Sequence, residues 1–408
     1  MMSKKIVVVG AFDTKGEEYK FIIDQIKEKN YQVIAINTGV MGSTDLFAVD
    51  IQAEVVAKAG GTEIETLRKV KDRGHAISVM SNGLATVIVN LYAKEKIDGI
   101  IGMGGTAGTN VVTSGMKPLP YGIPKICVST VASGDVSPYV GISDIIMIPS
   151  LVDISGLNPL SESVFTNAVG ALIGMLEVKK SKQSEPKPTI AASMFGNTTP
   201  CIDACREALN LKGYEVLVFH STGAGGKTME KLIDQGVVQG ALDITTTEWA
   251  DTLCGGVFDA SSERLDAPGK AGIPHLIAPG CIDMVNFGNP DTIPSKYKDR
   301  LFYKWNPQVT LMRTTVDENR KLGEIFAEKA NASKGKVAFI IPLQGYSILD
   351  SIDDKNEQQL FWDPAADKAF IEGLKSKLKP EINIIEVDAN INDPIFSNKA
   401  VEVFLDML

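Results

Sequence analysis

The chain has 408 residues, 41 Lys and Arg against 50 Asp and Glu, and a formal net charge of −9. At roughly 100–200 residues per domain this is two or three domains, enough chain to bury full cores without disulfides or metals. The acidity excludes a broad basic face for nucleic acid, and 44% hydrophobic with 22% charged residues excludes a disordered chain.

Short all-apolar runs predict strands at 6–9, 32–36, 99–101, 125–129 and 145–148. Amphipathic stretches between them predict helices at 16–29, 62–73, 86–95, 106–115 and 161–177. Strands apolar at every residue are buried on both faces, which means a parallel sheet covered by helices. A stretch at 179–188 has four Lys, two Pro and no large apolar side chain, and reads as a linker. The alternation then resumes, with strands at 189–193, 215–219, 240–244, 275–278, 337–341 and 382–387. Helices are predicted at 200–211, 227–235, 317–331, 365–378 and 394–407. The fold class is α/β: two Rossmann-like doubly wound parallel-sheet domains, 1–180 and 189–408, joined by a linker at 181–188 and facing a central cleft. The halves also rhyme, since IVVVGAFDT at 6–14 and IAASMFGNT at 190–198 each lead through a helix to a second strand.

Five scattered Cys and three His give neither a disulfide framework nor a zinc site. No apolar run approaches the 18 residues of a membrane span, and the N-terminus passes from a short strand straight into polar sequence without a signal peptide. The expectation is a cytoplasmic protein with no membrane partner. A homodimer is expected on the general frequency of such assemblies.

Ligands of doubly wound sheets bind past the carboxyl ends of the strands. The loop at 10–18 carries Asp13, Thr14 and Lys15, and Thr14-x-x-Glu17 has capping-box spacing. It reads equally as a phosphate-facing helix start or as a plain N-cap with a surface Lys. The loop at 102–109 holds Gly104, Gly105, Thr106, Gly108 and Thr109. It fits the loose dinucleotide pattern, but no acidic residue lies between Asp98 and Asp135 to hold a ribose, which argues against NAD. An anion site or tight helix–sheet packing remains. In the second half, Gly223, Gly225, Gly226, Lys227 and Thr228 resemble a P-loop, but Ser221 stands where the first Walker glycine belongs. Thr245, Thr246 and Thr247 end another strand, with a second capping-box spacing from Thr245 to Glu248. The long stretch at 254–270 suggests a mobile cover. His220 is either a general base or a structural histidine, and Cys281 with Asp283 marks a speculative nucleophile.

These motifs, taken together with PGCIDMVNFG at 279–288, resemble a family named for the ATP-binding N-terminal domain of the tomato mosaic virus resistance protein, here the Tm-one-like family. The resemblance runs from Val7 to Leu408. It implies two Rossmann-like subdomains with nucleotide, ATP in particular, in or near the cleft. It implies that Asp13, Thr14, Lys15, Gly104, Gly105, Thr106, Gly108 and Thr109 face the nucleotide, with Gly223, Gly225, Gly226 and Thr245 to Thr247 as second-half counterparts. Lys227 is not a fixed feature of that family.

The resulting expectation is an ATP-binding protein that also takes a small anionic metabolite. If it is an enzyme, phosphoryl or acyl-phosphate chemistry is the natural class, with Mg²⁺ held by Asp13 or another strand-end carboxylate. A non-catalytic ATP sensor and a sugar-phosphate or carboxylate enzyme that ignores nucleotide are the alternatives.

Overall fold

A computed structural model describes residues 4–95, 97–178, 187–353 and 355–408. The chain divides into two units, Met1–Lys182 and Gln183–Leu408. The linker expected at 181–188 falls, for 181–186, outside the described residues.

The N-terminal unit holds β1 (Lys5–Gly10), β2 (Gln32–Asn37), β3 (Gly99–Gly104), β4 (Lys125–Ser129) and β5 (Ile146–Pro149). They form one parallel sheet in the order β2-β1-β3-β4-β5. Alternate residues feed the two faces. Val7, Val9 and Cys127 pack under the helices Ala53–Ala59, Arg73–Glu95 and Thr106–Met116. Ile6, Val8, Ile126 and Val128 pack under Gly16–Glu28 and Pro159–Glu177.

The C-terminal unit holds β6 (Thr189–Met194), β7 (Glu215–His220), β8 (Gly240–Thr245) and β9 (His275–Gly280). Then come β10 (Met284–Phe287), β11 (Phe302–Asn306), β12 (Val309–Arg313), β13 (Val337–Pro342) and β14 (Asn383–Val387). The parallel sheet runs β14-β13-β9-β8-β6-β7, and β10-β12-β11 form a small antiparallel sheet. Counted from the start of each unit, the parallel strands follow the same order, 2-1-3-4-5, with a sixth added in the second. The sequence rhyme therefore coincides with a shared winding. The antiparallel sheet is absent from the sequence expectation, which assigns no element between 279 and 316.

Two helices differ from expectation. Ile64–Val70 is shorter than 62–73, and Arg73–Glu95 is far longer than 86–95. Gly74 and Gly83 weaken the local helix signal in the second. Gly83 is there for packing: a Cβ on it would lie 1.9 Å from the Val56 carbonyl oxygen, and one on Gly60 would lie 2.2 Å from that of Val79. The helices Ala53–Ala59 and Arg73–Glu95 meet backbone to backbone. The long helix is also, among the described residues, the one helix long and apolar enough to cross a membrane by length and composition, contrary to the sequence expectation. Its outer stripe is Ser78, Asn82, Thr86, Asn90 and Lys94, with Val89 beside it. Val79, Met80, Leu84, Val87 and Ile88 face the core. That is the pattern of an amphipathic core helix.

Gly83→Ala is expected to destabilise the chain by about 1–3 kcal/mol through overpacking. Gly170→Ala lies inside Pro159–Glu177 with nothing within 4 Å of the added carbon, and should stabilise it by about 0.5–1 kcal/mol. Denaturant unfolding of both variants checks the opposite signs.

Candidate functional site

In the N-terminal unit the strand order reverses between β1 and β3, so their carboxyl ends splay. Pairing stops at Val9 and Gly102. Tyr19, on the helix that follows β1, fills the gap. Its hydroxyl accepts from the Met103 N–H at 2.9 Å and lies 2.9 and 2.8 Å from the Val9 and Met103 carbonyls. Burial holds this phenol well above its ordinary range, so it stays a neutral brace.

The loop after β1 is shaped by Asn37, whose Oδ1 accepts from Phe12 N at 3.1 Å and Gly39 N at 2.8 Å. Asp13 accepts from Met41 N at 3.0 Å through Oδ2, while its Oδ1 is buried without a partner. A Cβ on Gly39 would lie 2.2 Å from that oxygen, so the segment at 39–41 closes around the carboxylate. Lys15 donates to the Ile154 carbonyl, tying this loop to the one after β5. Lys15 is the N-cap of Gly16–Glu28, with no side-chain cap, so the expected Thr14–Glu17 capping box does not form. Thr14 is exposed and, with Asp13 and Lys15, lines a cavity of about 290 Å³ beside Thr44 and Ser155.

The loop after β3 is different. Gly105 is the N-cap of Thr106–Met116 and supplies no side-chain acceptor. Gly104 has no room for a side chain, since a Cβ would lie 2.7 Å from the Gly108 Cα. Gly105 does have room, its nearest neighbour being Thr130 Oγ1 at 3.6 Å. Thr106 is exposed and Gly108 half-buried, but Thr109 is buried, bonded to Ser129 Oγ at 2.6 Å. Thr109 therefore ties β3 to β4 rather than facing outward. Arg73, Thr106, Asn110 and Tyr139 border a cavity of about 390 Å³ over this helix start. Arg73 carried no signal in the sequence, because it lies more than thirty residues before the loop.

The second-half loops are arranged around the chain's own groups. Gly223 and Gly226 donate their N–H groups to Glu248 Oε1 at 2.8 and 3.0 Å. A Cβ on Gly225 would lie 1.8 Å from the His220 carbonyl oxygen, so that glycine serves close packing. Lys227 is exposed. Glu248 is held in turn by Arg264 Nε at 2.8 Å. The buried Arg264 guanidinium also grips Asp243 through two bonds and Glu230 at 3.1 Å. Burial opposes the charge on Asp243, but Arg264 outweighs it and holds the carboxyl well below its usual range. The Thr245–Glu248 capping box is absent, because Glu248 is drawn to Arg264 and the helix Glu248–Cys254 starts from Thr247 without a side-chain cap. All three threonines are buried: Thr245 bonds Thr198 at 2.7 Å, Thr246 the Ala278 carbonyl at 2.9 Å, and Thr247 accepts from Asn286 Nδ2 at 3.2 Å. The stretch expected as a cover is pinned by Ala260, Arg264 and Leu265, all buried.

His220 is exposed and sets its ring edge-on to Phe195 at 5.4 Å. Cys281 is buried, and burial with the Asp283 and Asp350 charges pushes its thiol far up, which removes it as a nucleophile. Asp283 accepts from Ser347 Oγ at 2.8 Å, and Arg313 lies 3.2 Å from Asp367 and 3.7 Å from Asp350. One guanidinium thus faces three buried carboxylates, and burial followed by mutual repulsion raises Asp283 and Asp367. Burial likewise lifts Asp251 to about 8.

A buried acid with a raised pKa keeps its proton in the folded chain where the unfolded carboxyl, titrating near about 4, has lost it. The folded form binds more protons across that window, so stability falls as pH rises from about 5 to about 8. Asp243, depressed, contributes in the opposite sense and only below about pH 4. The thermal midpoint should therefore drop between pH 5 and pH 8, and Asp251→Asn should lessen the drop. A midpoint that climbs over that range contradicts this assignment.

A family model described as "Uncharacterised protein family (UPF0261) N-terminal domain" matches residues 4–181, and its C-terminal-domain counterpart matches 187–408. A UPF0261 protein of Clostridium tetani is 46% identical over 100% of both chains. The ToMV resistance protein Tm-1(GCR237) of Solanum lycopersicum is 37% identical over 99% of this chain and 56% of its own length. Among solved structures, a UDP-N-acetylglucosamine 2-epimerase from Rickettsia bellii aligns with 68% of this chain and 79% of its own, at 12% identity and a TM-score of 0.23. A likeness of that size carries no functional argument.

Proposed function

The chain belongs to the UPF0261 family, and on that premise we propose that its N-terminal unit binds a nucleotide, ATP in the first instance, with the phosphates against the first turn of Thr106–Met116. The observation that carries this reading is a helix start capped by Gly105 without a side-chain acceptor, in a segment free of acidic residues from 99 to 134. A helix N-terminus offers free N–H groups and a positive potential of about half a charge, and both favour phosphate. Thr106 adds an exposed hydroxyl, and Arg73 lies along the same cavity. In the second unit the glycine-rich helix start after β7 already holds Glu248, which is why the reading rests on the first unit. ATP itself comes from the motif resemblance.

Mg²⁺ keeps several waters in a near-octahedral shell at about 2.0–2.1 Å. Asp13, enclosed by Gly39 and Met41, leaves no such space at its Oδ1, and its geometry does not fit a hydrated Mg²⁺ there. Asp13 instead shapes the loop that borders the site. The reading is one of binding, and it serves an enzyme and a sensor alike.

Gly105→Asp separates binding from folding. The extended backbone at Gly105 and the open space around it admit Asp, which is a good N-cap and should alter stability by only a few tenths of a kcal/mol. The same carboxylate would occupy the anion position. The variant is expected to melt at or slightly above the wild-type midpoint and to lose the ATP-dependent rise, which for ligand at 100 times its Kd is about 2.7 kcal/mol. Calorimetric titration showing unchanged ATP affinity in Gly105→Asp would place the phosphates elsewhere.

A further inference from the structure

An open cavity of about 480 Å³ lies in the N-terminal unit, against the same helix start. Ala107 and Gly108 form one wall, so the cavity adjoins the proposed phosphate position directly. Leu67, Ile77, Met80 and Val111 make the other walls hydrocarbon or thioether. Met41 stands at the mouth, 74% exposed. Water in such a space finds few partners and is readily displaced by an apolar group.

The rim is cationic. Arg68, Lys71 and Arg73 border the cavity against one acid, Asp72, whose Oδ1 already accepts from His75 N at 3.0 Å. Arg68 is engaged with the Val40 carbonyl at 2.6 Å and with Glu54 and Glu65. Arg73 borders this cavity and also the neighbouring one over Thr106 and Asn110. Apolar walls, a cationic rim and an adjoining helix start select a ligand with two parts: an apolar body and an anionic group joined to it.

We infer that this cavity receives the apolar body of a phosphate-bearing ligand whose anionic group lies at the first turn of Thr106–Met116. For the anion the inference rests on the reading above; the apolar specificity is its own. A purine ring and an alkyl or acyl chain share this chemistry. The two sulfur atoms of Met41 and Met80 suit either, through contact with a ring edge or by repacking around a chain.

Calorimetric titration of the full chain with tripolyphosphate, ATP and n-octyl phosphate tests it. Ala76→Leu fills the cavity from the helix Arg73–Glu95 without lining the neighbouring one over Thr106 and Asn110, and thermal unfolding checks that the variant folds. If it does not, Leu67→Phe, which also lines the first cavity alone, replaces it. The wild-type chain is expected to bind ATP or octyl phosphate at least tenfold more tightly than tripolyphosphate, and the ligand preferred identifies the body. The filled variant should lose that preference while tripolyphosphate affinity stays within twofold. A preference that survives filling overturns the cavity inference and leaves the phosphate reading standing. Adenosine and octanol serve as phosphate-free controls: if they bind as tightly as ATP and octyl phosphate and are lost on filling, the phosphate reading fails, and of the inference only the apolar pocket stands. A wild-type chain that binds none of these probes overturns both.

Discussion

A parallel sheet whose strand order reverses leaves helix N-termini pointing past its carboxyl edge, where their unpaired N–H groups favour a negative partner. The two units share a strand order but treat such helix starts differently. After β7 the partner is internal: Glu248 takes the N–H groups of Gly223 and Gly226. After β3 the helix begins at Gly105 and brings no side-chain acceptor of its own. The physics is the same at both helix starts, N–H groups at positive potential; after β7 the chain supplies a carboxylate, and after β3 the capping residue has no side chain to offer.

The internal solution draws in more of the chain. Glu248 and Asp243 are both buried, and two buried carboxylates need a matching cation. Arg264 supplies it, and in doing so fixes the segment that follows Cys254. Arg313 plays a like part at the last residue of β12. It bonds the Phe361 carbonyl at 2.7 Å and faces Asp283, Asp350 and Asp367. Two buried guanidiniums therefore hold the non-sheet segments of the C-terminal unit in place. Such clusters are costly to desolvate, and removing one member leaves an uncompensated charge, so they fix geometry more than they add stability. The edge of the N-terminal unit contains no comparable cluster among the described residues. It is built from small residues, hydroxyls and neutral bridges such as Tyr19, with cavities between its loops.

Local motifs failed where long-range partners outbid them. Thr245-x-x-Glu248 has capping-box spacing, but Glu248 gains more from a buried guanidinium and two N–H donors than from its own helix start. Thr109 reads as a loop hydroxyl, yet the adjacent strand places Ser129 2.6 Å away and turns it inward. Gly83 looks like a helix breaker and instead permits a helix crossing against Val56. In each case the deciding atom lies 16 or more residues away, beyond the reach of spacing rules.

The sequence by itself determined the alternation and the two parallel sheets. Runs such as Ile6-Val7-Val8-Val9, apolar at every position, can be satisfied only between two layers of helices. It also determined where the glycine-rich loops stand, directly after those strands. Only the tertiary structure decided which of these loops gives its N–H groups to the chain's own Glu248. The glycine loops at 104–108 and 223–226 obey the same local physics. What separates them is Glu248, held by Arg264 in one unit, and the cationic Arg73 beside an apolar cavity in the other.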